Sequence, residues 1–152
     1  MTGARELLVE ATELVLCTLA DCSLTPAVEE SSATAPVVGV VHIRGVWEGT
    51  VAVYLSTPLA RHLAGIMFDC EPEAATPEQV IDTVGEMANM IGGSLKSLLA
   101  GRGQLSLPTV IPTSNDVPRF RSRQMGQFTF SCRGSLGRVV LTSQHVPPQR
   151  SS

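Results

Sequence analysis

The sequence is poor in charge, since charged residues make up only 16% of its 152 residues and the net charge is -3. A general nucleic-acid-binding protein needs a basic surface, so this composition argues against that class of partner. Hydrophobic residues make up 43%, which is typical of a globular chain rather than a disordered one. A chain of this length is expected to form one domain that buries about 70% of its unfolded surface. We assign residues 1–145 to that domain and expect a frayed tail over 146–152.

Long hydrophobic runs are also missing near the N-terminus. The longest uncharged run there covers residues 14–20, with Glu10, Glu13 and Asp21 around it. Secretory signals and membrane spans have longer apolar runs without acidic flanks, so we expect neither, and no membrane partner. The apolar spacing instead predicts one side of a first helix, formed by Leu7, Leu8, Ala11, Leu14, Val15, Thr18 and Leu19.

Conventional catalytic and metal-binding motifs are absent from the sequence. No Ser or Cys lies in a nucleophile motif, and no glycine-rich loop follows a strand in a phosphate-binding pattern. The cysteines have no tight metal spacing, which predicts buried or idle thiols in a reducing cytosol and no metal site. They are Cys17, Cys22, Cys70 and Cys132. The three histidines lie far apart in sequence, and a lone histidine is more often a packing or surface residue than a ligand.

The apolar periodicity indicates a mixed fold. Residues 37–44 and 50–55 are β-branched runs that predict a hairpin, and Ser56 opens a helix whose inner face holds Leu59, Leu63, Ile66 and Met67. Further strands are predicted over 104–111, 125–132 and 138–143. Because the strands come in adjacent runs, we expect an α+β fold, with an antiparallel-rich sheet and helices packed on it.

Residues 76–99 predict one long amphipathic helix around which the rest of the chain is organised. Thr76 is a suitable N-cap, Pro77 fits the first helical position and Gln79 completes a capping box. A continuous apolar stripe suits burial in a core. It consists of Val80, Val84, Met87, Ile91, Leu95 and Leu98.

The opposite face of this helix carries a strip of polar side chains and a glycine. Asp82, Glu86, Asn89 and Gly93 follow each other at steps of four, three and four, so they share one line. A glycine inside a helix costs roughly 1 kcal/mol against Ala, so Gly93 needs a reason. The strip is either a solvated face whose glycines make room for neighbouring elements or a surface for another body. Spacing alone favours the solvated face.

Two segments together resemble the CheC/CheX/FliY family of chemotaxis phosphatases. GEMANMIGGSLKSLL matches its Glu-x-x-Asn signature with a following glycine, and QLSLPTVI matches its later Leu-Ser-Leu-Pro-Thr-Val strand. The similarity extends over the hairpin, the next helix and the last strands, about residues 37–143. Glu-x-x-Asn alone is weak, but the combination in this order is specific. The resemblance implies a CheC-like fold.

The resemblance also implies a reaction and the residues that perform it. Members of the family remove phosphate from the aspartyl-phosphate of a CheY-like response-regulator receiver domain. By similarity, the catalytic residues are Glu86, which docks the receiver's lysine, and Asn89, which orients the attacking water. Asp82, Met90 and Gly93 are expected to contact the partner. The resemblance further implies no cofactor for the chain itself, and Mg²⁺ is expected in the receiver.

Within the family the chain resembles the single-site CheX branch. The first helix offers Glu13 but has Leu16 at the position of the amide, and 152 residues leave no room for the flagellar-switch domain of a FliY-like protein. CheX-like members form homodimers, so the resemblance implies a cytoplasmic homodimer. Two other functions stay open. The first is a non-catalytic adaptor that holds a receiver or dimerises, and the pair of Glu86 and Asn89 counts against it. The second is a small-molecule-binding domain.

Overall fold

The computed structural model describes residues 3–20, 23–28, 36–99, 102–111 and 123–143. Within these ranges there are three α-helices, a 3₁₀ turn and seven strands. The helices are α1 (Ala4–Ala20), α2 (Thr57–Phe68) and α3 (Pro77–Leu99), and the 3₁₀ turn is Pro72–Ala74. The strands are β1 (Leu24–Pro26), β2 (Val37–Arg44), β3 (Gly49–Leu55), β4 (Gln104–Leu105), β5 (Thr109–Ile111), β6 (Arg123–Cys132) and β7 (Ser135–Ser143).

The strands form one sheet in the order β1-β6-β7-β3-β2-β4, with β5 also paired to β2. Each pairing among the described strands is antiparallel. β1 lies at one edge, while β4 and β5 follow one another along the outer side of β2. This architecture confirms the predicted α+β class with an antiparallel-rich sheet.

The three helices pack against one face of the sheet and enclose the main core. Alternate strand residues point into it, as expected for a pleated sheet covered on that face. In β2 these are Val37, Val41 and Ile43, whereas Val38 and Val40 belong to a smaller buried cluster on the other face. The layer of helices therefore fixes which side of α3 is buried and which side is open.

The predicted hairpin is confirmed, because β2 and β3 pair along their whole length from Val37–Leu55 to Ile43–Gly49. The single strand predicted over 104–111 is instead two short strands, β4 and β5, separated by three residues. The last strand begins at Ser135, three residues before the predicted start, because Arg133 and Gly134 alone make the turn with positive φ angles.

Four apolar side chains that the periodicity placed on buried faces are exposed, so those predictions are wrong. In α1, Leu14 is 61% exposed while Leu16 is fully buried, because the buried line of the helix runs one residue to the side of the predicted one. Leu98, Ile66 and Met67 lie near the ends of α3 and α2 and are also exposed. The hydrophobic period of a sequence predicts which face of a helix is apolar, but the neighbouring elements decide which residues of that face are buried.

The expectation of free thiols is wrong for Cys132. Cys132 is fully buried at the end of β6 and is disulfide-bonded. Cys17 and Cys70 are free, as predicted. The spacing of cysteines in a sequence does not show which of them a sheet brings together.

None of the helices in the described part of the chain combines the length and the hydropathy that a transmembrane segment needs. The predicted tail over 146–152 lies outside the described residues.

Candidate functional site on helix α3

The long helix begins where the capping box predicted. The backbone N–H of Gln79 donates to Thr76 Oγ1 at 3.2 Å, and the side-chain oxygen of Gln79 accepts from the backbone N–H of Thr76 at 3.0 Å. Pro77 occupies the first helical position. These reciprocal bonds satisfy two otherwise unpaired donors and fix the rotational phase of α3 from its first turn.

The buried face of α3 packs closely on the sheet. A Cβ atom added to Gly39 of β2 would lie 2.9 Å from the carbonyl oxygen of Val84 and 3.0 Å from the Cβ of Ala88. Only a glycine at this position therefore allows the helix backbone to approach the strand so closely. Asn89 follows Ala88 in α3, so this contact holds the turn of the helix that carries Asn89 against β2.

All five predicted site residues lie on the open side of α3. Asp82, Glu86 and Met90 are exposed, while Asn89 and Gly93 are half-buried. The predicted apolar stripe lies on the opposite side and is buried from Val80 to Leu95. The geometry therefore brings together two carboxylates, one amide, one thioether and one glycine on the open side of α3.

The side chains of Glu86 and Asn89 have no hydrogen bond or ion pair with any of the described residues. Other polar side chains of the same helix are engaged. For example, Thr83 Oγ1 donates to the carbonyl oxygen of Gln79 at 2.7 Å, and Lys96 Nζ donates to the carbonyl oxygen of Gly103 at 3.1 Å. A free carboxylate can accept a charged donor, and a free carboxamide can both donate and accept.

The glycines of α3 have two different surroundings. A Cβ at Gly85 would lie 3.3 Å from Val110 Cγ2, and a Cβ at Gly92 would lie 2.5 Å from Val41 Cγ2. These two glycines make room for elements of the same fold, as the solvated-face interpretation expected. A Cβ at Gly93, by contrast, would have its nearest neighbour, Leu105 Cδ2, at 4.0 Å. Internal packing therefore explains two of the glycines but not Gly93.

The first helix does not repeat this arrangement at the corresponding positions. Glu13 is exposed, but Leu16 is fully buried in the core and has no amide. An open groove does run along the outer face of α1, lined by residues that include Arg5, Glu13 and Cys17. The five predicted residues of α3 do not line this groove.

The described histidines take no part in this strip. The Nδ1 atom of His42 lies 3.0 Å from Thr50 Oγ1, on neighbouring strands. In α2, His62 Nε2 is buried without a hydrogen-bond partner among the described residues, and burial together with the charge of Arg133 lowers the pKa of His62 below 6.5. Among the described residues no three His, Cys, Asp or Glu side chains cluster closely enough to hold a metal ion.

The segment that lies next to α3 between β4 and β5 was not predicted from the sequence. Three residues between β4 and β5, at 106–108, pass along the outer edge of β2 next to α3, and the side chain of Leu107 is exposed. The sequence signal was available, because Pro108 lies in the middle of the predicted strand and proline interrupts strand pairing except at edges and bulges.

Comparison with known proteins agrees with this architecture. The model of the family described as chemotaxis phosphatase CheX matches residues 37–140, which include β2, β3, α2 and the whole of α3. No curated protein matches the chain in sequence.

Several solved structures share the fold. The chemotaxis protein CheX from Vibrio vulnificus is 21% identical, with a TM-score of 0.72 over 91% of this chain and 97% of that chain. A CheC-like superfamily protein from Shewanella sp. PV-4 is 22% identical, with a TM-score of 0.72 over 91% of this chain and 95% of that one. A chain in the CheX-CheY-BeF3-Mg²⁺ complex from Borrelia burgdorferi is 19% identical, with a TM-score of 0.71 over 92% of this chain and 97% of that one. Since the family model spans more than half of the sequence, the chain belongs to the CheX family of chemotaxis phosphatases.

Proposed function

We propose that this chain accelerates hydrolysis of the aspartyl-phosphate on a CheY-like response-regulator receiver domain. The observation that carries the proposal is the pair of Glu86 and Asn89, which lie one turn apart on the open strip of α3 without partners among the described residues. Membership of the CheX family supports the reaction, and the similarity to a CheX found in complex with CheY supports the kind of partner.

Asn89 is proposed to orient the water that attacks phosphorus. A carboxamide can accept a hydrogen bond from the water and donate one to a phosphoryl oxygen, and it adds no negative charge beside the phosphate. Because Asn89 is half-buried on a helix that is packed tightly on the sheet, its position is largely fixed before the partner arrives. Little entropy is then lost when the water is held in line, which is the main task left to a helper in phosphoryl transfer.

Glu86 is proposed to dock the receiver by pairing with a lysine of its phosphorylation site. Its exposed carboxylate is available for a charge-assisted hydrogen bond. Asp82 lies one turn earlier and extends the negative charge toward the same partner, while Met90 and Gly93 contact the partner on the later turn. We further propose that the Mg²⁺ of the reaction is bound by the receiver and not by this chain.

A phosphate-release assay tests the function directly. A CheY-type receiver domain is charged with acetyl phosphate in the presence of Mg²⁺, the phosphate donor is removed, and phosphate release is followed with substoichiometric amounts of this chain. We expect release to accelerate, with many phosphates released per molecule of the chain. Binding of the charged receiver without any acceleration would instead support the adaptor function, and unchanged release without binding would contradict both.

We also propose that the chain acts in the cytoplasm and as a homodimer, as its family membership suggests. The dimer is checked by sedimentation equilibrium, where a particle of twice the 16.1 kDa chain mass is expected. A particle of the single-chain mass over the working concentration range would contradict the dimer.

A further inference from the structure

The segment between β4 and β5 is a bulge on the edge of the sheet. Ile43 pairs with Leu105 and Val40 pairs with Thr109, so the two β2 residues between these pairs face three residues, 106–108, on the other strand. One extra residue on one strand is the defining feature of a β-bulge, which re-aims side chains near functional sites. Here Leu107 is 89% exposed.

The bulge is held firmly against β2. The backbone N–H of Ser106 donates to the carbonyl oxygen of His42 at 2.9 Å, and Ser106 Oγ accepts from the backbone N–H of His42 at 2.9 Å. Ser106 Oγ also donates to the carbonyl oxygen of Leu107 at 3.1 Å. These bonds fix the backbone that carries Leu107, so an exposed apolar side chain is presented from a rigid support.

The bulge lies level with Asn89. Pro108 is next to Gly85, where an added Cβ would lie 3.5 Å from Pro108 Cγ, and Leu105 is next to Gly92, where an added Cβ would lie 3.3 Å from Leu105 Cδ1. Asn89 lies midway between Gly85 and Gly92 along α3. The backbone at 106–107 therefore runs beside the turn of α3 that carries the proposed catalytic amide.

We propose that Leu107 is an apolar anchor for the receiver domain, so that the partner is held between the strip on α3 and the bulge at 106–108. This inference rests on the proposed function. A stable protein–protein interface covers roughly 800 Å² on each partner and about 20–30 residues, whereas the strip on α3 together with Met90 supplies five. The docking surface must extend beyond α3, and the bulge continues it on the side of Asn89. A rigid exposed leucine loses little entropy on binding and gains from leaving water.

Steady-state kinetics of variants with the phosphorylated receiver test this role. In Leu107→Ser we expect KM to rise about tenfold, because one apolar contact is lost, while kcat stays within about twofold because the water-positioning residues are unchanged. Leu107→Met keeps an apolar side chain of similar volume and is expected to retain a KM close to that of the unchanged chain. Val28→Ser is the matched control, since Val28 is 82% exposed and follows β1 at the opposite edge of the sheet.

The outcomes separate this inference from the function on which it rests. If the unchanged chain releases phosphate from the receiver but Leu107→Ser leaves KM at the same value, the anchor is wrong and the phosphatase function stands. An equal rise of KM in Val28→Ser also contradicts a specific anchor. If Leu107→Ser changes the sedimentation of the chain alone and not KM, a second copy of the chain covers Leu107 and the inference is overturned. If the unchanged chain releases no phosphate, both proposals fail.

Discussion

Gly92 and Gly93 are neighbours on α3 but serve different purposes. A side chain at Gly92 would collide with Val41 of the sheet, whereas one at Gly93 would meet nothing closer than Leu105 Cδ2 at 4.0 Å. Gly92 is therefore required by the fold. Gly93 weakens the helix without any internal reason, which is the pattern expected where a second molecule must approach the helix backbone.

Replacing Gly93 with Ala should separate stability from function. The helix gains propensity and meets no clash, so we expect the free energy of unfolding to rise by about 0.5–1 kcal/mol. The added methyl group stands on the proposed docking strip, so the rate at which this chain releases phosphate from the receiver should fall at the same time. Urea denaturation and the phosphate-release assay measure the two effects on one preparation.

Gly92→Ala provides the matched control for that variant. Its Cβ would lie 2.5 Å from Val41 Cγ2, so overpacking should lower the free energy of unfolding by about 1–3 kcal/mol. Should Gly93→Ala destabilise the chain to the same degree, or leave phosphate release unchanged, Gly93 would have no special place in docking.

Asn89→Ala should remove catalysis while leaving the receiver bound. The amide projects from the open strip and makes no bond within the described residues, so its loss should not disturb folding. Without the oriented water, we expect kcat for phosphate release to fall on the order of 100-fold with little change in receiver affinity. Unchanged phosphate release by this variant would rule out the role assigned to Asn89.

Glu86→Ala should weaken docking in a salt-dependent manner. An exposed carboxylate that pairs with a lysine of the partner contributes more at low ionic strength than at high. We therefore expect the apparent affinity for the phosphorylated receiver to drop several-fold in low salt, with the difference from the unchanged chain shrinking as salt is added. Glu73→Ala, at an exposed position in the 3₁₀ turn, controls for the loss of one negative charge. An affinity equal to that of the unchanged chain in low salt would contradict the pairing.

The sequence was sufficient where local chemistry determines the structure. The reciprocal bonds of Thr76 and Gln79 depend only on residues three apart, so the start of α3 and the phase of its faces followed from the capping box. The same phase placed Glu86 and Asn89 on the open side. The β2–β3 hairpin was also predictable, because two β-branched runs joined by a short turn have few other pairings.

The sequence was insufficient where distant elements decide the outcome. Leu14 has the spacing of a core residue, but the elements that pack against α1 cover the line through Leu16 instead. The extra residue at 106–108 is visible only when the register of both strands against β2 is known. The exposure of Leu107 in this bulge therefore could not be predicted from periodicity.

His62 links the stability of the fold to pH. Its pKa in the folded chain is lowered first by burial and second by the positive charge of Arg133. The folded state therefore resists protonation of His62 more than the unfolded state does. The contribution of neutral His62 to stability is complete above pH 6.5, the ordinary pKa, and is lost progressively as the pH falls below that value toward the lower pKa of the folded chain.

His62→Leu should remove this dependence, because leucine does not titrate and also eliminates a buried nitrogen that has no partner among the described residues. Denaturation at about pH 8 and about pH 5.5 should show a smaller loss of stability on acidification than in the unchanged chain. Arg133→Gln removes only the second cause and should reduce the loss in part, which separates the charge from the burial. Carboxylates titrate in all three proteins, so the comparison between them isolates His62. Equal losses in the three proteins would show that His62 does not control this part of the pH profile.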